Sequence, residues 1–204
     1  MAITINGTGS ITGLTAGGLP DGSVVAADLA SSLDLTGKTV TLPSGTGGKI
    51  LQVKNVVKTS VFQSAATVTD TPVTGLSLAI TPSSTSNKIL VIAHVSCASE
   101  NNQGAAAKIQ RDGSNISGPL ADTASNRSLS SLAGSAYWAA VGGLMRTLSI
   151  NYLDSPSSTS ELTYRIVVSS ISSPGTFVNR SHTDNDTSDF LRTSSFLTLM
   201  EVQG

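Results

Sequence analysis

A chain of 204 residues with 12 Lys and Arg against 13 Asp and Glu has a formal net charge of −1, and its basic residues are scattered. That distribution excludes the electrostatic stripe needed to hold a phosphate backbone, so no nucleic acid is expected as a partner. The length and a hydrophobic share of 39% provide for one packed core plus an appendage. No stretch approaches the roughly 18 apolar residues of a membrane span, so membrane insertion is not expected.

Ser and Thr make up more than a quarter of the residues, whereas only 12% are charged. This mixture suits strand faces and turns better than long helices. Cys97 is the single cysteine, which excludes an intrachain disulfide framework and a Cys-based zinc knuckle; within "IAHVSCAS" it reads as a small buried strand residue. The opening "MAITINGTGS" has neither the basic flank nor the apolar stretch of a secretory signal, so synthesis and retention in a cytoplasm are expected. The Asn-x-Ser/Thr triplets at Asn6, Asn115, Asn126, Asn179 and Asn185 then imply no glycosylation.

In chain order, residues 1–48 are punctuated by "GLTAGGLPDGS", "LTGK" and "PSGTGG". Gly supplies positive φ and Pro a preset φ, so these are turns. One short helix is predicted in "PDGSVVAADLASSL", with Ser23 as N-cap and Val25, Leu29 and Leu33 at spacing four. "KTVTLP" alternates as an exposed strand. Ordering so long a segment costs more conformational entropy than its few aliphatic side chains return on burial. It is therefore expected to be either a flexible tail or a stretch buried against other chains, and 1–48 is set apart from 49–204.

From Lys49 onward the pattern is that of an antiparallel sandwich, with strands predicted at about 50–62, 66–80, 88–98, 104–111, 135–142, 146–153, 161–170 and 195–202. "KILVIAHV" is a near-continuous apolar run suited to a sheet covered on both faces. Asp112-Gly113 after "AAKIQR" signals a tight hairpin. "LDSPSSTSE" and "SSISSPGTF" read as rim loops. The terminal "SSFLTLMEV" is apolar on both sides, which places it mid-sheet or beside a subunit interface.

Chemical motifs are weak. "SGTGGKI" lacks the phosphate-loop pattern, because Pro43 stands where the first Gly belongs and Ile50 where Ser or Thr follows Lys. In "SHTDNDTSDF", Asp184, Asp186 and Ser188 have the spacing of a calcium loop, but Asp189 and Ser195 occupy the places of its Gly and Glu. What remains is a solvated loop with a looser cation site as the alternative. His94 and His182 are far apart and no Gly-x-Ser-x-Gly context exists, so hydrolysis is the weakest function class, and His94 reads as a hydrogen-bonded strand residue. Tyr137 and Trp138 fall on opposite faces of a strand; the exposed one either stacks on a sugar or packs in an interface. Arg111 with Asp112, and Arg180 with the acids of 184–189, read as surface pairs of little individual worth. No cofactor and no catalytic or metal site is assigned.

The segments "ITGLTAGGLPDGSVVAADLASSLDLTGKTVTLP", "KILQVKNVVKTS" and "SSFLTLMEV" resemble structural and fibre proteins of tailed bacteriophages, particularly of marine and cyanobacterial hosts, and the likeness covers nearly the whole chain. "ITPSSTSNKILV", "RDGSNISG" and "YLDSPSSTSELTY" are similar to sections of trimeric jelly rolls related in shape to the tumour-necrosis-factor and complement head domains. The resemblance implies an all-β homotrimer in the virion, assembled in the host cytoplasm. Its residues 1–48 form an attachment and trimerisation segment that docks on other tail or capsid proteins, and its residues 49–204 form a jelly-roll head. The expected role is non-enzymatic: a tail fibre or similar appendage with a possible part in host attachment. The alternatives are a capsid head fibre or decoration protein, and a lectin-like adhesin. Tyr137, Trp138, Asp184 and Asp186 are the candidate contacts for a host-surface glycan or an interface.

Overall fold

A computed structural model describes residues 49–64, 70–99, 104–122, 125, 130–135, 145–170 and 175–204, and among these described residues eleven strands make up the regular structure. They are β1 (Ile50–Lys58), β2 (Phe62–Gln63), β3 (Thr71–Ile80), β4 (Lys88–Ser99), β5 (Gly104–Arg111), β6 (Ser114–Asn115), β7 (Leu132–Ser135), β8 (Arg146–Asp154), β9 (Leu162–Ser170), β10 (Thr176–Val178) and β11 (Ser195–Val202). All pairings are antiparallel, and no helix occurs among the described residues. The predicted helix from Ser23 and the strand in "KTVTLP" lie outside the described residues, as does most of the predicted strand 135–142.

Three pairs of strands lie end to end. β1 and β2 pair with β11 and β10, which in turn occupy successive stretches of one edge of β4; β6 and β7 likewise share one edge of β5. The eleven strands thus fill eight lines. In chain order, the first line pairs with the eighth, the second (β3) with the seventh (β9), the third (β4) with the sixth (β8) and the fourth (β5) with the fifth. This is one long hairpin rolled on itself, and β11 on β4 and β9 on β5 close it into two sheets. A two-sheet antiparallel sandwich with this order is a jelly roll.

Period-two alternation builds the core. From the first sheet, Val91, Ala93 and Val95 of β4, Leu148 and Ile150 of β8, and Leu197 and Leu199 of β11 point inward. They meet Ala107 and Ile109 of β5, Ile166 and Val168 of β9, and Leu76 and Ile80 of β3. Cys97 belongs to this core, and burial pushes its thiol up to about 12, so it behaves as a small apolar side chain. Asp112 and Gly113 have φ of 49° and 84° and turn the hairpin between β5 and β6, as a two-residue turn with both residues left-handed requires.

The sequence reading differs at particular places. The predicted strand 50–62 is broken after Lys58. "SSISSPGTF" is not a rim loop throughout, because Ser169 and Ser170 end β9, while Thr176 and Phe177 open β10. Arg111 does not pair with Asp112 at the surface. Its guanidinium reaches across to the buried Asp154 of the other sheet, which also accepts a hydrogen bond of 2.6 Å from the hydroxyl of the buried Tyr164. Burial and the neighbouring carboxylate both hold the Tyr164 hydroxyl well above its ordinary range, so it stays a donor.

Candidate interaction surface

The two sheets differ in how far their outer faces are exposed. On the β3-β9-β5 sheet, the positions between core residues include Lys108 and Gln110 of β5, opposite Val167 and Arg165 of β9. Lys108 pairs with Asp70 at 2.7 Å, Asn115 donates to Asp70 at 2.8 Å, the Gln110 amide donates to Asn115 at 3.0 Å, and Arg165 Nε donates to Gln110 at 2.8 Å. The network is connected but largely covered: Gln110 is buried, the Lys108 and Asp70 side chains are 12% and 17% exposed, and Val167 beside them is fully buried.

The outer face of the β1-β11-β4-β8 sheet is different. Register puts Val53, Asn55 and Val57 of β1 beside Met200, Thr198 and Phe196 of β11, then Leu90, Ile92 and His94 of β4, then Leu153, Asn151 and Ser149 of β8. Val53 is 56% exposed, Val57 53%, Leu153 44% and Phe196 36%. Ile50, beside Val202, extends the patch at 54% exposure. Four of the polar members bond in pairs: Asn55 Nδ2 donates to Thr198 Oγ1 at 2.7 Å, and His94 Nδ1 and Ser149 Oγ are 2.8 Å apart, while Asn151 is exposed. The His94 ring also packs against Phe196 at 5.0 Å. The expectation that His94 is a hydrogen-bonded strand residue agrees with this geometry. The two-sided β11 lies mid-sheet, one of the two places its sequence allows; the apolar run of β4, expected in a sheet covered on both faces, has its outward Leu90, Ile92 and His94 only half-buried in a single copy.

The excursion between β10 and β11 contains Asp184 and Asp186. Its base is closed by Asn179, fully buried with φ of 63°. The Asn179 side chain donates to the carbonyls of Lys58 at 2.8 Å and Ser60 at 3.0 Å and accepts from Ser195 Oγ at 2.6 Å. Ser195 Oγ in turn accepts from the Ser96 backbone N–H at 3.0 Å. One amide therefore ties the end of β1, the exit of β10 and the entry of β11 to β4. Arg180 stacks over Phe177 at 4.3 Å and reaches Gln63 at 3.0 Å. Asp184 lies 3.7 Å from Arg180 and 2.8 Å from Arg192, so two guanidinium groups share its carboxylate, while Asp186 is exposed beside it. Among the described residues, no group of three or more His, Cys, Asp or Glu side chains is placed to hold a metal ion. Tyr137 and Trp138 lie outside the described residues.

Sequence reasoning missed the buried Glu201. Its position on the inner side of β11 follows from alternation, but its partners come from elsewhere: Gln52 donates to Oε2 at 2.6 Å, and Oε1 accepts from the Ser83 backbone N–H at 2.6 Å, Ser83 Oγ at 2.8 Å and Asn87 Nδ2 at 2.6 Å. Burial alone raises a carboxyl, and here the hydrogen bonds from Gln52, Asn87 and Ser83 outweigh it and bring Glu201 down to about 2. The cluster fastens β1, the β3–β4 loop and β11 at one end of the sandwich.

No helix among the described residues is long and apolar enough to cross a membrane. No protein family matches the chain, and no curated protein matches it. Among solved structures, the crystal structure of the infectious bursal disease virus VP2 subviral particle is similar over 87% of this chain and 41% of that one, at 12% identity and a TM-score of 0.40. The structure of the infectious bursal disease virus Gx strain is similar over 81% and 42%, at 10% identity and a TM-score of 0.37. The chain spans about two fifths of the length of those chains, and its own strand order assigns the fold.

Proposed function

We infer that the chain is a non-enzymatic structural protein of a tailed-bacteriophage virion, a homotrimeric fibre or similar appendage. Residues 1–48 dock on another virion protein, and residues 49–204 form a projecting jelly-roll head. The observation that carries this reading is the apolar outer face of the β1-β11-β4-β8 sheet, on which Val53, Val57, Leu153 and Phe196 are exposed in a single copy. Apolar patches of this extent mark surfaces that meet a partner. The phage-like phrases of the sequence, from "ITGLTAGGLPDGS" to "LTLMEV", supply the setting.

Labelling intact particles with an antibody raised against the head tests it. Label along the tail is expected. Label over the shell would instead make the chain a capsid fibre or decoration protein, and particles free of the chain would overturn the reading altogether.

A further inference from the structure

We propose that the outer face of the β1-β11-β4-β8 sheet is the surface on which a second copy of this chain packs, a proposal that rests on the chain being an assembly subunit. Four strand lines about 4.8 Å apart and about eight residues long at about 3.3 Å each make a footprint of roughly 20 by 25 Å. The accessible area of such a corrugated patch approaches the roughly 800 Å² per partner of a stable interface.

The occupant follows from the chemistry of the face. Lys88, at the end of β4, is the one charged residue among the described residues that register places on it. A partner chosen by charge complementarity would therefore find nothing to pair with. An equally uncharged and apolar surface matches it, and the same face of the other copies, turned with it toward a common threefold axis, is such a surface. Desolvation is small, because Asn55 is already bonded to Thr198 and His94 to Ser149. Edge-to-edge pairing through β1 is opposed by the exposed Lys54 on that edge, so association proceeds face on. The sequence of residues 1–48 is rich in Gly and spreads few aliphatic side chains over its length, a poor match for a continuous apolar sheet face.

The test uses the full chain in sedimentation velocity from micromolar to nanomolar concentration, with far-UV circular dichroism to confirm folding. Val57→Asp and, separately, Val53→Asp are expected to raise the dissociation constant of the assembly on the order of 100-fold, the factor for a charge left unpaired in an interface. Both side chains are more than half exposed in a single copy, so the folded subunit should retain its β spectrum. Ser77→Asp, exposed on β3 of the other sheet, is expected to leave assembly unchanged. A wild-type chain that is monomeric at micromolar concentration overturns the proposal, as do folded Val57→Asp and Val53→Asp variants that assemble like wild type, or a Ser77→Asp variant that dissociates. Particle labelling is independent of all three results, so a failure of this surface and a failure of the virion role are told apart.

Discussion

Glu201 holds its charge in the sandwich because hydrogen bonds from three residues are aimed at its two oxygens. Its folded pKa of about 2 lies below the ordinary 4.5, so its contribution to stability is complete above about pH 4.5 and is lost as pH falls through about 2. Glu201→Gln should cost about 2 kcal/mol at neutral pH, because an amide nitrogen then confronts a donor. The gap between wild type and variant should close as pH drops through that window, as read from urea midpoints. Asn179 presents a second case, a left-handed residue whose side chain satisfies two carbonyls and a hydroxyl. Asn179→Ala should destabilise by about 3 to 5 kcal/mol, and Asn179→Gly by about 1 kcal/mol less, since glycine relieves the backbone but restores no hydrogen bond. Chemical denaturation of the pair separates the two effects.

At the scale of elements, the β5–β6 hairpin depends on two consecutive positive φ angles at Asp112 and Gly113. Asp112 manages the conformation partly because its side chain accepts from the Thr163 backbone N–H at 2.8 Å, tying the turn to β9. Gly113 has φ of 84° and an open surrounding, with Arg165 as the near neighbour at 3.7 Å. Gly113→Ala should therefore cost about 1 kcal/mol through backbone strain alone, with no change in the cooperativity of thermal unfolding. Interrupted strand lines are the other feature of this scale. The eighth line leaves β4 after Val178 and returns at Ser195, and Asn179 and Ser195 stand at the two ends of the excursion and bond to each other. A long insertion is compatible with a regular sheet when its base is closed this way.

For the whole molecule, the rolled hairpin places the first and last lines side by side, so β1 and β11 share the face on which a second copy is proposed to pack. If burial of that face is part of the folded state, stability becomes linked to assembly. The unfolding midpoint of the full chain should rise with protein concentration, and the rise should vanish in Val57→Asp; differential scanning calorimetry over a hundredfold concentration range checks both.

Local chemistry alone determined much of this protein. The alternation of "SSFLTLMEV", the unbroken run of "KILVIAHV" and the Asp112-Gly113 turn each gave the right element, because a pleated strand and a two-residue hairpin are specified by neighbours in the chain. β10, three residues long, was beyond it, since no periodicity can be read over so few positions. The partners of Glu201 lie 114, 118 and 149 residues away, and the Asn179 amide reaches 121 residues back to Lys58. Only the rolled topology brings such groups together, and only it decides which side of β4 and β11 is sealed against the other sheet and which faces outward.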